Sequence, residues 1–238
     1  MNLLQDYIDV GLAPDIPGFE SKLVAIANHF DFGIVSAAIA VDRPGNAPLY
    51  MMAGNTPQAF IEASGNMDDG RRDPVLKRLK ELWVPFAYDQ AMYVEEGAGD
   101  LWEEQARHGY RTGISMALHL RGGRHFMLGV DREQPLPMDD AKLMRLMADL
   151  QLLAVHAQDA AFRLLLPEAE RRQPLVALTS REREVLQWTL QGKSAWTVGQ
   201  LLTMSEHTVN FHLRNAMRKL EVSSKHQAAI RALEMGLL

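Results

Sequence analysis

In LTSREREVLQWTLQGK (178–193) and LLTMSEHTVNFHLRNAMRKL (201–220), apolar residues recur at helical spacing between definite start and stop signals. Thr179 followed three residues on by Glu182 is a capping box, in which each side chain satisfies a backbone N–H orphaned at the helix start. Val185, Leu186, Thr189 and Leu190 continue the period, and Gly192 supplies the left-handed residue that ends a helix near Gln191. Residues 196–202 read as a short second helix. Ser205 caps a third, with Val209, Leu213, Met217 and Leu220 on one stripe and Asn210, Arg214, Arg218 and Lys219 on the opposite, polar face. Ser223 or Ser224 caps a fourth helix over 225–235, closed by Gly236. Two short helices joined by a tight turn, the second basic outward, predict a helix-turn-helix head that places one helix in the major groove of DNA.

The rest of the chain is a separate body. The 238 residues suit two domains, 47% of them are apolar, and there is no cysteine, which rules out disulfides, thiolate metal sites and a cysteine nucleophile. From residue 174 onward there are eight Lys plus Arg and five acids, a balance of +3, so the net −5 leaves −8 on the remainder. An acidic body carrying a mildly basic head fits a modular DNA binder. A long helical pattern over 138–166 stops at Pro167, and EAERRQPLVA beyond it lacks periodicity. The expected division is a sensor and dimerisation domain at 1–166, a linker at 167–175 and the DNA-binding head at 176–238. No segment reads as a signal sequence or membrane span, so a cytoplasmic location without membrane contact is expected.

Within the body, 2–11, 19–30, 57–64, 73–82 and 101–108 read as helices. Strands are expected at 33–41, 49–53, 113–120 and 125–131, joined at RPGN and RGGR turns. The predicted fold class is α+β: an N-terminal α/β/α sandwich with an antiparallel sheet, and an all-α four-helix helix-turn-helix domain.

LTxRExEVL, the Gly192–Lys193 pair and SEHTVNFHLRNAMRKL resemble the C-terminal domain of the LuxR family of bacterial transcription regulators, over about sixty contiguous residues. The likeness extends, on Asp73–Pro74 in RRDPVLKRL and Gly113 in HGYRTG, to that family's acyl-homoserine-lactone sensor, a five-stranded antiparallel sheet between helices. It implies that Asp73 accepts a hydrogen bond from a ligand amide. The family's tryptophan donor is replaced by Phe60, its tyrosine by Ser64 and a second tryptophan by Tyr88, while Gly129 stands where a hydroxyl is common. Phenylalanine has no N–H, so the pocket is changed relative to the family. Trp102 and Ser115 complete the candidate ligand set; aromatic residues at such spacing also serve as plain core, and Asp–Pro starts many helices that bind nothing. In the head, the resemblance assigns Asn210, Phe211 and Arg214 to base edges, and Lys193, Thr208, His212, Arg218 and Lys219 to phosphates. It also implies a homodimer on a palindromic operator, a small-molecule autoinducer as effector, and RNA polymerase as a further partner.

Other classes fit less well. A phosphoacceptor domain needs an acidic pair after its first strand, and 33–45 offers only Asp42. No Ser/His/Asp or HxHxD arrangement supports an enzyme, and His108, His119 and His125 match no metal-ligand spacing, so no cofactor or metal is expected.

Overall fold

The structure, a computed structural model, describes residues 2–43, 47–63, 67–137, 139–168 and 177–238; the side chains of 62, 63 and 67–69 also lie outside the description. The chain divides into two compact units, Met1–Leu120 with Arg124–Arg171, and Arg121–Gly123 with Arg172–Leu238. The RPGN turn residues 44–46 and most of the expected linker fall outside the described residues.

The first unit contains α1 (Leu3–Gly11), α2 (Ile16–His29), β1 (Ile34–Val41), β2 (Leu49–Gly54), α3 (Gln58–Ala63), α4 (Met67–Arg72), α5 (Pro74–Glu81), β3 (Phe86–Tyr88), α6 (Gln90–Glu95), α7 (Gly99–Ala106), β4 (Thr112–Leu120), β5 (Arg124–Arg132) and α8 (Asp140–Leu165). The strands form one five-stranded sheet in the order β2-β1-β5-β4-β3, and every pair is antiparallel. The RGGR turn is a tight hairpin with Gly122 at φ 78° and Gly123 at φ 65°, the left-handed pair that matches strand twist. Two expectations need correction. The second helix begins at Ile16 rather than Phe19, because Asp15 accepts the Gly18 N–H at 2.8 Å and so caps an earlier start. Strand β3 was not expected from periodicity: three residues cannot show an alternation, and its order comes from pairing with β4.

The two faces of this sheet differ in a way that follows from strand alternation. One carries Val35, Ile39, Ile114, Met116, Phe126, Leu128 and Val130, buried against α1, α2 and α8. Alanines 154, 157, 160 and 161 let α8 lie close. The other face carries Ser36, Ala38, Gly113, Ser115, Ala117, Gly129 and Asp131, small or polar residues in register across β1, β5 and β4, with Met127 the large side chain between Ala38 and Ala117. It is roofed by a second apolar cluster of Val75, Leu79, Phe86, Tyr88, Met92 and Tyr93. Large residues thus build the core on one side and leave a shallow polar floor on the other.

The second unit contains α9 (Ser180–Leu190), α10 (Ala195–Leu202), α11 (Glu206–Lys219) and α12 (Lys225–Glu234). The Thr179–Glu182 capping box is complete, and Ser194, Ser205 and Ser224 cap the other three helices. Val185, Leu186, Val198, Val209, Leu213, Ala216 and Ala228 form its own core. Between α10 and α11 the chain turns through Thr203 in the left-handed region at φ 54°. A Cβ on Gly199 would come 2.7 Å from the Met204 carbonyl oxygen, so only glycine lets the turn fold this tightly onto α10.

Candidate functional site

The polar floor of the first unit and its roof meet around two buried carboxylates. Asp73 caps α5, with Oδ1 accepting the N–H groups of Val75 at 2.7 Å and Leu76 at 3.2 Å. Its Oδ2 accepts from Gln105 Nε2 at 2.7 Å, while the Tyr93 hydroxyl donates to Gln105 Oε1 at 2.8 Å and lies 3.3 Å from Asp73 Oδ1. Asp131, at the end of β5, is 2% exposed and accepts a hydrogen bond from the Tyr88 hydroxyl. Burial pushes the Asp131 carboxyl up to about 7; the Tyr88 hydrogen bond pulls it down and the charge of Asp73 adds to the rise. The phenols of Tyr88 and Tyr93 are raised by burial and then by these carboxylates. Tyr88 lies against bare backbone, since a Cβ on Gly113 would sit 2.6 Å from its ring.

The ligand residues expected from the sequence are distributed as follows. Phe60 stacks on Tyr110 with centroids 4.0 Å apart and meets His108 edge-on at 5.9 Å. Ser115 is buried on β4, directly across from Gly129, where a Cβ would stand 3.3 Å from the Ser115 hydroxyl. Asp73, Tyr88, Ser115 and Gly129 therefore share one side of the sheet. Trp102 packs on the roof cluster, and its indole N–H donates to the Arg111 carbonyl at 3.0 Å, which ties α7 to the start of β4. Ser64 lies outside the described residues.

Sequence reasoning missed Asp131, Tyr93 and Gln105. An aspartate closing a strand reads as a stop signal, and only the Tyr88↔Gly113↔Asp131 register reveals it as an inward group. Tyr110 is buried with its hydroxyl beside those of Ser36 and Thr56, which bond each other at 2.6 Å; burial raises the phenol, and those two hydroxyls pull against the rise. An open depression of about 500 Å³ flanks the outer side of α6 and β3, lined by Arg78, Asp89, Met92, Thr112 and Leu136; it shares Tyr88 with the floor. His119 and His125 pair across the hairpin with Nδ1 atoms 2.8 Å apart, and His125 Nε2 is 3.2 Å from Asp42. Among the described residues no group of three or more His, Asp or Glu is placed to hold a metal ion.

In the head, α11 buries Val209, Leu213 and Ala216 and turns His207, Phe211, Arg214 and Arg218 outward. Those four recur at helical spacing on one stripe; Phe211 is half exposed, an uncommon position for a large apolar ring unless it meets a partner. Asn210 and His212 flank the stripe, half-buried, and His212 meets Phe211 edge-on at 5.6 Å. Thr208 shares its hydroxyl with Ser205 at 2.8 Å, which fixes the helix start, and Lys193 is exposed in the turn after α9. His207 was not anticipated, because a histidine in the first turn carries no periodic signal.

Lys219 is a correction. Its Nζ donates to Glu182 Oε2 at 2.7 Å and to the Ala177 carbonyl at 3.0 Å, so it faces into the head. Burial opposes the Glu182 charge, but hydrogen bonds from Lys219 and the Thr179 N–H outweigh it and hold that carboxyl below its usual range. Lys219→Met is expected to cost the head about 2 kcal/mol by leaving Glu182 buried without its cation. In anisotropy titrations of duplex DNA, its salt slope should match the parent's; a slope smaller by about one would restore a phosphate role.

One unit carries a buried polar floor under a helical roof, and the other carries a helix-turn-helix with an outward cationic stripe, the two parts expected of a small-molecule sensor and a DNA reader. Residues 19–161 match the family described as "Autoinducer binding domain", and residues 176–232 match "Bacterial regulatory proteins, luxR family". The transcriptional activator protein SolR of Ralstonia nicotianae is 36% identical over 229 residues, covering 91% of this chain and 90% of SolR. The regulatory protein SdiA of Escherichia coli K12 is 28% identical over 216 residues, covering 89% of this chain and 86% of SdiA. A crystal structure of SdiA shares the fold with a TM-score of 0.76 at 24% identity, covering 99% of this chain and 97% of that one. The chain belongs to the LuxR family of bacterial transcription regulators, with an autoinducer-binding domain and a LuxR-type helix-turn-helix.

Proposed function

We propose that this protein is a cytoplasmic, ligand-responsive regulator in which a small N-acyl amphiphile of the acyl-homoserine-lactone type settles between the polar floor and the helical roof. Asp73 accepts the effector's amide N–H, and Phe60, Tyr88, Ser115 and Gly129 shape the space around it. Filling that layer stabilises the folded sensor through mass action. The sensor spans 1–166 and the head 176–238, with 167–175 joining them. Two copies, associating through sensor helices such as α8 with its exposed Met144, Leu152 and Val155, present two heads to a palindromic operator near RNA polymerase. Asn210, Phe211 and Arg214 read base edges; Lys193, Thr208, His212 and Arg218 hold phosphates.

The observation that carries this reading is the outward stripe of α11, a cationic and aromatic face on a helix whose other side is fully buried. Arg214→Ala is expected to remove at least about tenfold of operator preference over random duplex while leaving the circular dichroism unchanged. Unaltered preference would remove the assigned role. Asp73→Asn is expected to raise the effector concentration for half-maximal promoter response by about tenfold, because a charge-assisted acceptor is lost. A second reading, an effector without a lactone ring, is favoured by Phe60, which brings no N–H to a lactone carbonyl. SdiA has also been solved in complex with octanoyl-rac-glycerol, an acyl amphiphile that has hydroxyls in place of a lactone.

A further inference from the structure

Asp131 is a buried acceptor on the polar floor. Gln105 Nε2 gives one N–H to Asp73 and the Trp102 indole N–H goes to the Arg111 carbonyl, neither of them to Asp131. The Tyr88 and Tyr93 hydroxyls are spent on Asp131 and Gln105. Asp131 takes a side-chain hydrogen bond from Tyr88 and keeps further acceptor capacity for a ligand, and the Tyr110 hydroxyl, within reach of Ser36 and Thr56, has its own O–H to donate. Asp131 and Asp73 are joined by geometry: Tyr88 donates to Asp131, its ring lies 6.4 Å from that of Tyr93, and the Tyr93 hydroxyl is 3.3 Å from Asp73 Oδ1. Gly113 and Gly129, on the strand positions beside Asp131 and Ser115, keep the floor low there.

An ionised carboxylate only accepts. A head group rich in carbonyl and ester oxygens would set acceptor against acceptor at Asp131, leaving both without partners in a water-poor layer. A head group bearing hydroxyls would satisfy it. Resting on the sensor reading above, we propose that Asp131 is a specificity-determining residue and that the preferred effector is an acylated amino alcohol or polyol, with its hydroxyls donating to Asp131, its amide N–H to Asp73, and its acyl carbonyl accepting from Tyr110. Sites built to pair a ligand hydroxyl discriminate strongly against analogues that lack it, because their own polar groups are then stranded.

The test compares two amides of equal chain length on the full-length protein at about pH 8, where Asp131 is ionised: N-octanoyl-serinol, with two hydroxyls, and N-octanoyl-homoserine lactone. Titration calorimetry is expected to give the serinol amide at least about tenfold tighter binding. Asp131→Asn, with unchanged circular dichroism, should abolish or reverse that preference; Asp131→Ser serves if the asparagine chain does not fold. A lactone bound as tightly as the serinol amide, or a preference unmoved in both variants, would overturn the assignment of Asp131 and leave the sensor reading standing. Binding of neither amide up to about 1 mM would overturn both.

Discussion

Asp131→Asn is expected to make the sensor more resistant to urea at pH 8 and to flatten the dependence of that resistance on pH. The Asp131 carboxyl is pushed up to about 7 in the folded chain by burial, against 3.8 for an exposed aspartate. Below about pH 4 the group is protonated in both states and contributes nothing. Between there and about 7 the unfolded chain has released the proton and the folded chain has not, so stability falls as pH rises. Above about 7 the full penalty is in place, about 4 kcal/mol at most, of which about 2 kcal/mol accrues above pH 5.5. Asparagine can still accept from Tyr88 and has no charge to desolvate. Urea dependence of hydrogen exchange in peptides spanning β4 and β5, followed from pH 5.5 to 8, isolates the sensor within the full chain. If parent and variant ran parallel across that range, the Asp131 carboxylate would have to be well solvated.

Gly113→Ala should unsettle the same place from the backbone side. The added methyl would fall 2.6 Å from the Tyr88 ring and 2.6 Å from the Val130 carbonyl oxygen. One of these neighbours is main chain in the middle of the sheet, and the other is tied through its hydroxyl to Asp131. Either β4 and β5 separate or Tyr88 swings out and strands a buried carboxylate. Overpacking and a lost hydrogen bond together put the cost at about 3 kcal/mol, enough for loss of protection throughout β3, β4 and β5. A variant as stable as its parent by the same exchange measurement would mean that the Tyr88 ring does not lie on Gly113.

The head was almost wholly legible in the sequence because its signals are local. Thr179 and Glu182, Ser205 and Gly192 each act within one helical turn, and the structure has them as caps and stops. The turn residue Thr203 gave no such sign, since a left-handed threonine is held by its surroundings rather than by its own preference. In the sensor, four strands announced themselves as short runs bounded by the RPGN and RGGR turns, whereas β3 exists only through β4. The candidate site divides the same way. Asp73 is visible through the family likeness of RRDPVLKRL, but the Asp131–Tyr88 bond joins residues 43 apart in the chain. Lys219 misled for a related reason: its partner, Glu182, is set by tertiary packing that composition does not encode.

The unequal faces of the sheet bear on how such a receptor changes its diet over generations. Bulky side chains that maintain folding point one way, and most of the short ones, which the proposed effector would meet, point the other. A swap among glycine, serine, alanine and threonine on the second side alters what fits without touching the first. Tuning to a new chemical signal can then proceed by single steps that each preserve a viable protein.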